Sequence, residues 1–389
     1  ISFTKIGFLL GYPLQSRLGN HSPMNKPDTT LAKPSPADPN RLVWLDLLRI
    51  TASLLIVMLN LSSVQLRTLP VNASGWRAIN LYMGAARAAT PLFTLVSGIL
   101  FLGLGKQRTF KQLLSGPVKK IGIIYVFWTI LYALFSLLSE PAGPGTLVAR
   151  FAALLVNSHY HLWFLPVLIS LYLLSPFLQL IVDRGGEQTL KYALVLLVLG
   201  LLGHTLVLSG DFLPMADWVS SIAEKFPVGK VLLFAGYFLI SNYLLFYFST
   251  DRKTRAIIYL LGLLGMLANA AVTLLASQRV GATDLRFSDP LTLMTFFVAA
   301  SIFTFFRFQV SQVHFSERVR CFIANLSRLT LGVYLIHPLV SFFLGKTFGL
   351  TLLSFNPILS VPVLTLLVFL FSAGVIYGLK KLPFLCWAA

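Results

Sequence analysis

IGIIYVFWTILYALFSLLS, residues 121–139, runs between Lys119-Lys120 and Glu140 without one charged side chain. At 1.5 Å per residue such a helix is about 28 Å long, close to the ~30 Å hydrocarbon core of a bilayer. A helix also satisfies every backbone polar group within its own segment, which lipid demands. With this segment taken as 118–139, comparable apolar segments can be placed near 43–65, 79–104, 159–182, 190–208, 228–249, 256–276, 290–309, 324–346 and 357–379. The breaks between them are charged at Lys106 to Lys111, Asp183 to Glu187 and Asp251 to Arg255, and rich in polar residues or proline at Pro141 to Pro144 and Asp211 to Pro227. The expected fold is therefore an all-α integral membrane protein with about ten transmembrane helices.

Composition agrees. Of 389 residues, 56% are hydrophobic and 11% charged, with a mean hydropathy of +0.80, against roughly 25% charged residues in soluble domains. The formal charge of +18 invites a nucleic-acid reading, but the placement of Lys and Arg favours membrane orientation and no nucleic-acid partner. If odd-numbered helices run outward, 20 cations fall on the cytoplasmic side and 8 on the outer side, with Arg49, Arg87 and Arg328 in or at the edge of apolar segments. The positive-inside rule then places both termini in the cytoplasm.

Residues 1–41 carry Lys26, Pro27, Asp28, Lys33, Pro34, Pro36, Asp38 and Pro39, a composition that cannot build a packed core. A flexible cytoplasmic tail is expected there, ahead of one membrane domain over 42–389. Met24 offers a start residue, which would make 1–23 an upstream extension. Cys321 and Cys386 are the two cysteines, and both are expected as free thiols. P-loop, Rossmann, nucleophile-elbow and zincin patterns do not occur.

Ionisable side chains within membrane segments are costly, so each is a functional hypothesis. Arg49 and Asn60 are eleven residues apart. Eleven helical steps leave only about 20° of net rotation, so both share one face, roughly 16 Å apart. Asp46 sits three residues before Arg49, where the two can pair. A bland account has Arg49 anchoring at the interface and Asn60 bonding a neighbouring helix. In the second segment Arg87 precedes Thr90, Pro91, Ser97 and Gly98; a kinked, closely packed helix accounts for the last three but not for Arg87. The fourth segment opens His159-Tyr160-His161-Leu162-Trp163-Phe164. On a helix the two histidines point to different sides, which argues against a metal pair, and one facing inward can serve as a base or donor. In the ninth segment Ser327 and Tyr334 share a face, and His337 follows Tyr334 at i, i+3, immediately before Pro338.

These stretches, in order, are similar to the membrane-bound acyltransferase 3 family of bacterial O-acyltransferases: Trp44 to Arg49; Pro91-Leu92-Phe93 with Ser97-Gly98; His161 to Leu165 with Leu174-Ser175-Pro176; and Ser327-Arg328 with Gly332 to Pro338. The chain most resembles the enterobacterial-common-antigen O-acetyltransferase branch. The resemblance implies a multi-pass protein of the bacterial inner membrane that moves an acetyl group from acetyl-CoA, or another acyl-CoA, to a hydroxyl of a glycan or lipid-linked glycan. It implies no permanently bound cofactor and no metal. Arg49 and Arg87 become donor anchors, Ser97, Trp163 and Tyr334 acceptor-side or structural residues, and Asn60, His161 and His337 the catalytic positions.

The family has histidine where this chain has Asn60, and an amide cannot take a hydroxyl proton near neutral pH. Three accounts follow: a His→Asn change in an otherwise active scaffold, a variant whose base is His161 or His337, or lost catalysis. Two other classes compete with the enzyme. A lipid-linked-glycan transporter or flippase would favour broken helices at matching positions in two halves, which the sequence does not display; a non-catalytic CoA- or glycan-binding membrane partner draws on Asn60.

Overall fold

The computed structural model describes residues 40–103, 108–139, 146–210 and 229–382. The tail expected over 1–41, apart from its last two residues, and Cys386 lie outside the described residues; Cys321 is an exposed free thiol. Among the described residues the regular structure is entirely helical. The principal helices are α1 (Asn40–Leu66), α2 (Ser74–Ala86), α3 (Ala89–Gly98), α4 (Lys119–Ser139), α5 (Leu147–Asn157), α6 (Phe164–Leu208), α7 (Lys230–Phe246), α8 (Arg252–Val280), α9 (Leu293–Phe308), α10 (Glu317–Ser327), α11 (Thr330–Phe348) and α12 (Pro357–Lys381). Eight helical stretches among the described residues are long and apolar enough to cross a membrane. One of them, α6, has Gly186 at φ 62°, ψ −166° in its middle, a conformation open to glycine at little cost. Its arms, 164–185 and 187–208, are each about 33 Å long. Within the described residues each of the ten segments expected from the sequence falls mainly on helical residues, two of them divided between separate helices.

Local chemistry sets several helix ends. Asp251 accepts from the Thr254 N–H at the start of α8, and Asn356 accepts from the Ile358 N–H with Pro357 at the first position of α12, both normal entries. Three prolines lie within long helices and each removes the donor for the carbonyl four residues earlier. Side chains replace the missing donors. Ser175 Oγ donates to the Tyr172 carbonyl ahead of Pro176, at 2.7 Å. Tyr82 Oη donates to the Ile358 carbonyl ahead of Pro362, at 2.7 Å, and His337 Nδ1 stands 2.9 Å from the Tyr334 carbonyl ahead of Pro338. In lipid, where water cannot take over, this replacement is what makes an intrahelical proline tolerable.

Three boundaries differ from the sequence expectation. The second segment is two helices, α2 and α3, broken at Arg87-Ala88, four residues before Pro91, as a proline kink requires. The ninth begins in the separate amphipathic helix α10 and resumes as α11 after Arg328-Leu329. The fourth starts at Phe164 rather than His159, because residues 160–163 form a turn following Ser158 at φ 50°.

Helix α1 occupies the centre, packing against α2, α3, α9, α10, α11 and α12. Leu48, Ala52 and Val57 along it are fully buried. At Gly98 an added Cβ would lie 2.4 Å from the Phe238 carbonyl oxygen, so α3 and α7 approach as closely as the sequence expectation for Gly98 required.

Candidate functional site

Position 60 lies on the central helix, and α11 brings His337 to it from 277 residues away. Asn60 Nδ2 is 3.0 Å from His337 Nε2. On the other side of the ring, His337 Nδ1 faces the Tyr334 and Val333 carbonyls at 2.9 and 3.2 Å. Carbonyl oxygens only accept, so the neutral ring carries its proton on Nδ1 and offers a lone pair at Nε2. The atom meeting that lone pair is then the amide nitrogen of Asn60, which donates. The vacancy left by Pro338 thus fixes the tautomer of the adjacent histidine, and the tautomer fixes the amide.

Two further imidazoles complete the cluster. His161 Nε2 faces the Leu335 carbonyl at 3.3 Å, and His161 Nδ1 is 2.7 Å from His159 Nδ1. The Tyr132 ring stacks on His159 with centroids 4.2 Å apart, and its hydroxyl donates to the Leu335 carbonyl at 2.8 Å. Tyr334 Oη donates to the His161 carbonyl. The His161 and His337 rings meet edge to face, with centroids 5.4 Å apart. The sequence expectation that His159 and His161 point to different sides is corrected: both sit in a turn, outside helical periodicity, and their rings meet. Burial pushes the His159 imidazole down to about 4, so it is neutral near pH 7.

Asn60 borders two cavities of about 500 and 510 Å³. The first is largely apolar and is lined by Tyr132, Phe135, His159, His337 and Phe342, with Gln65 and Lys346 among its polar residues. The second holds His161, Trp163 and Tyr334 together with Arg67, Lys230 and Asp289. Of the residues that the resemblance singled out, the structure puts His161, Trp163 and Tyr334 in the second cavity and His337 in the first. Ser97, half-buried on α3, lines neither. Asp289 binds Lys230 Nζ at 2.7 Å, with His204 Nε2 3.4 Å away. That group escaped the sequence reading, although a carboxylate beside Pro290 at the edge of an apolar segment was a usable signal. Tyr132 gave none, being one aromatic residue among many in its helix.

Arg49, partly buried near the opposite end of α1, lies within electrostatic reach of Asp46 and Tyr172. Asp46 faces Ser327, Arg49 and Arg328. Lys380, whose Nζ donates to the Arg328 carbonyl at 2.8 Å, adds its charge beside Lys120, Arg49 and Arg328. Four cations and one carboxylate therefore converge there, an arrangement suited to phosphate.

Arg87 occupies a different setting. Its side chain is fully buried, and its terminal nitrogens donate to the Asn269 carbonyl at 2.9 Å, Thr273 Oγ1 at 2.6 Å and Ser288 Oγ at 3.2 Å. It ties the bend between α2 and α3 to α8 and to the turn Arg286–Ser288, and it presents no surface to a donor. Ser288 itself lines the second cavity.

No curated protein and no solved structure matches the chain. A family model described as an acyltransferase domain matches residues 42–377, which span α1 to all but the last turn of α12 and contain every residue of the cluster, and the chain belongs to this acyltransferase 3 family of multi-pass membrane proteins.

Proposed function

We propose that this membrane acyltransferase uses acetyl-CoA or a related acyl-CoA and transfers the acyl group to a hydroxyl of a cell-surface or lipid-linked glycan. The single observation that supports the reading most is on α1: a cation-rich end around Arg49 and a cavity-lining polar position at 60, on one helix face and roughly 16 Å apart. Phosphates of CoA pair with Arg49 and its neighbouring cations. The pantetheine arm covers the distance along α1 and delivers the thioester to position 60. The second cavity suits the body of the glycan, since Trp163 offers an aromatic face and Arg67, Lys230 and Asp289 offer polar contacts, and Asn60, which lines both cavities, marks where its acceptor hydroxyl meets the first. In this reading the Arg49 end faces the cytoplasm of a bacterium, the protein lies in the inner membrane, and its acetyl-transferring relatives include the enterobacterial-common-antigen branch.

Position 60 defines the chemistry. A histidine there would place its Nδ1–H where Asn60 Nδ2 now stands, donating to His337 Nε2 and leaving its own Nε2 as the proton acceptor. His337 would act as the orienting partner of a base, as a carboxylate does in a hydrolase triad. The asparagine keeps the contact and loses the base.

Detergent-purified protein incubated with radiolabelled acetyl-CoA and lipid-linked glycan tests the reading: label is expected in the glycan fraction. CoA binding with no acetyl transfer, even from Asn60→His, would favour the non-catalytic partner that Asn60 also suggests.

A further inference from the structure

Three imidazoles surround position 60, and their proton positions follow from their partners. His337 Nε2 accepts from Asn60, so its lone pair is taken. His161 faces the Leu335 carbonyl through Nε2, which must carry the proton, and leaves a lone pair on Nδ1. That lone pair faces His159 Nδ1 at 2.7 Å. A contact this short between two ring nitrogens needs one donor and one acceptor, and His161 Nδ1 is the acceptor. His159 therefore carries its proton on Nδ1 and holds an unprotonated Nε2. Among the described residues no group bonds that atom, and His159 lines the same cavity as Asn60 and His337.

We infer that His159 is the proton acceptor for acyl transfer in this chain, with His161 as its positioning residue, in place of the imidazole that position 60 lacks. The inference rests on the acyl-transfer reading above. The acceptor oxygen forms a bond to the thioester carbonyl carbon while its proton passes to His159 Nε2. The C–S bond then breaks, and the departing thiolate takes that proton, returning His159 to its neutral form. During the step the His159 Nδ1–H bond to His161 becomes charge-assisted and stronger. Tyr132, stacked on the ring, holds its plane. Burial of the ring limits its basicity, so its contribution belongs near the lower end of the ~10²- to 10⁴-fold range of general bases.

The test compares the parent, His159→Gln, Asn60→His and the double variant, reading thiol release from acetyl-CoA, which counts transfer to water and to glycan alike. His159→Gln is expected to lower release about 10²-fold with CoA binding retained. In the Asn60→His background the same substitution should cost less than about 3-fold, because the new imidazole takes over the proton. On the parent, carbethoxylation by diethylpyrocarbonate should reach His159 before His161 or His337. Equal release by parent and His159→Gln, an equal loss in both backgrounds, or prior modification of His161 or His337 overturns the inference. Release by Asn60→His with none from the parent also overturns it, while leaving the acyl-transfer reading in place. Release by neither removes that reading, and this inference with it.

Discussion

Two polar assemblies are buried in the helix bundle, and they differ in what they leave open. Around Arg87 the terminal guanidinium nitrogens donate to a carbonyl and two hydroxyls, and the side chain has no exposed surface. Around Asn60 three imidazoles, an amide and two tyrosines are also linked to one another, yet the cluster borders two cavities and one ring nitrogen has no partner among the described residues. Polarity inside a membrane is expensive in both places. Cost alone therefore does not identify a reactive site: an assembly sealed from every cavity, as the Arg87 guanidinium is, holds helices together, and one that borders a cavity with a ring nitrogen to spare can do chemistry.

The largest effect that separates the two belongs to Arg87. Arg87→Ala removes the guanidinium donor from Thr273 Oγ1, from Ser288 Oγ and from the Asn269 carbonyl, which keeps its bond from Thr273 Oγ1, and the loss should reach about 3 kcal/mol. Thermal unfolding in detergent would register it as a large fall in midpoint. A variant of unchanged stability but weakened CoA binding would return Arg87 to the donor site and dissolve the distinction.

Arg49 should behave in the opposite way. Arg49→Ala is expected to weaken CoA binding by about 1.5–3 kcal/mol, the range for hydrogen bonds to charged groups, with little change in stability. Arg49→Lys should keep part of the affinity as a point charge. Titration with CoA reads both, and equal affinity in wild type and Arg49→Ala would remove Arg49 from the donor site.

A smaller effect sharpens the picture of the open cluster. Tyr132→Phe removes one hydrogen bond to the Leu335 carbonyl while keeping the ring against His159. A loss of about 1 kcal/mol is expected, with His159 still carbethoxylated before His161 and His337. Redirected labelling would show that the tyrosine hydroxyl, rather than stacking, orients the ring.

Much of the bundle was legible in the sequence because its determinants are local. Apolar runs of membrane length coincide with helices, and the shared face of Arg49 and Asn60 follows from helical geometry alone. Pro91 pointed to the bend at Arg87. The partners of these residues were not legible. His337 reaches Asn60 across 277 positions, and helical periodicity placed His159 and His161 apart because it was applied to a turn. Arg87 looked like a ligand anchor for a similar reason: its hydrogen-bond partners, Asn269, Thr273 and Ser288, are common polar residues with nothing in their spacing to join them to it.

The most direct test of the account is the rate of acetyl transfer by Asn60→His relative to the parent. With His337 already placed to accept the new ring's Nδ1–H, the account predicts a gain of about 10²-fold at unchanged CoA affinity. A parent that transfers acetyl at the same rate as Asn60→His would contradict it, since position 60 would then have no part in moving the proton.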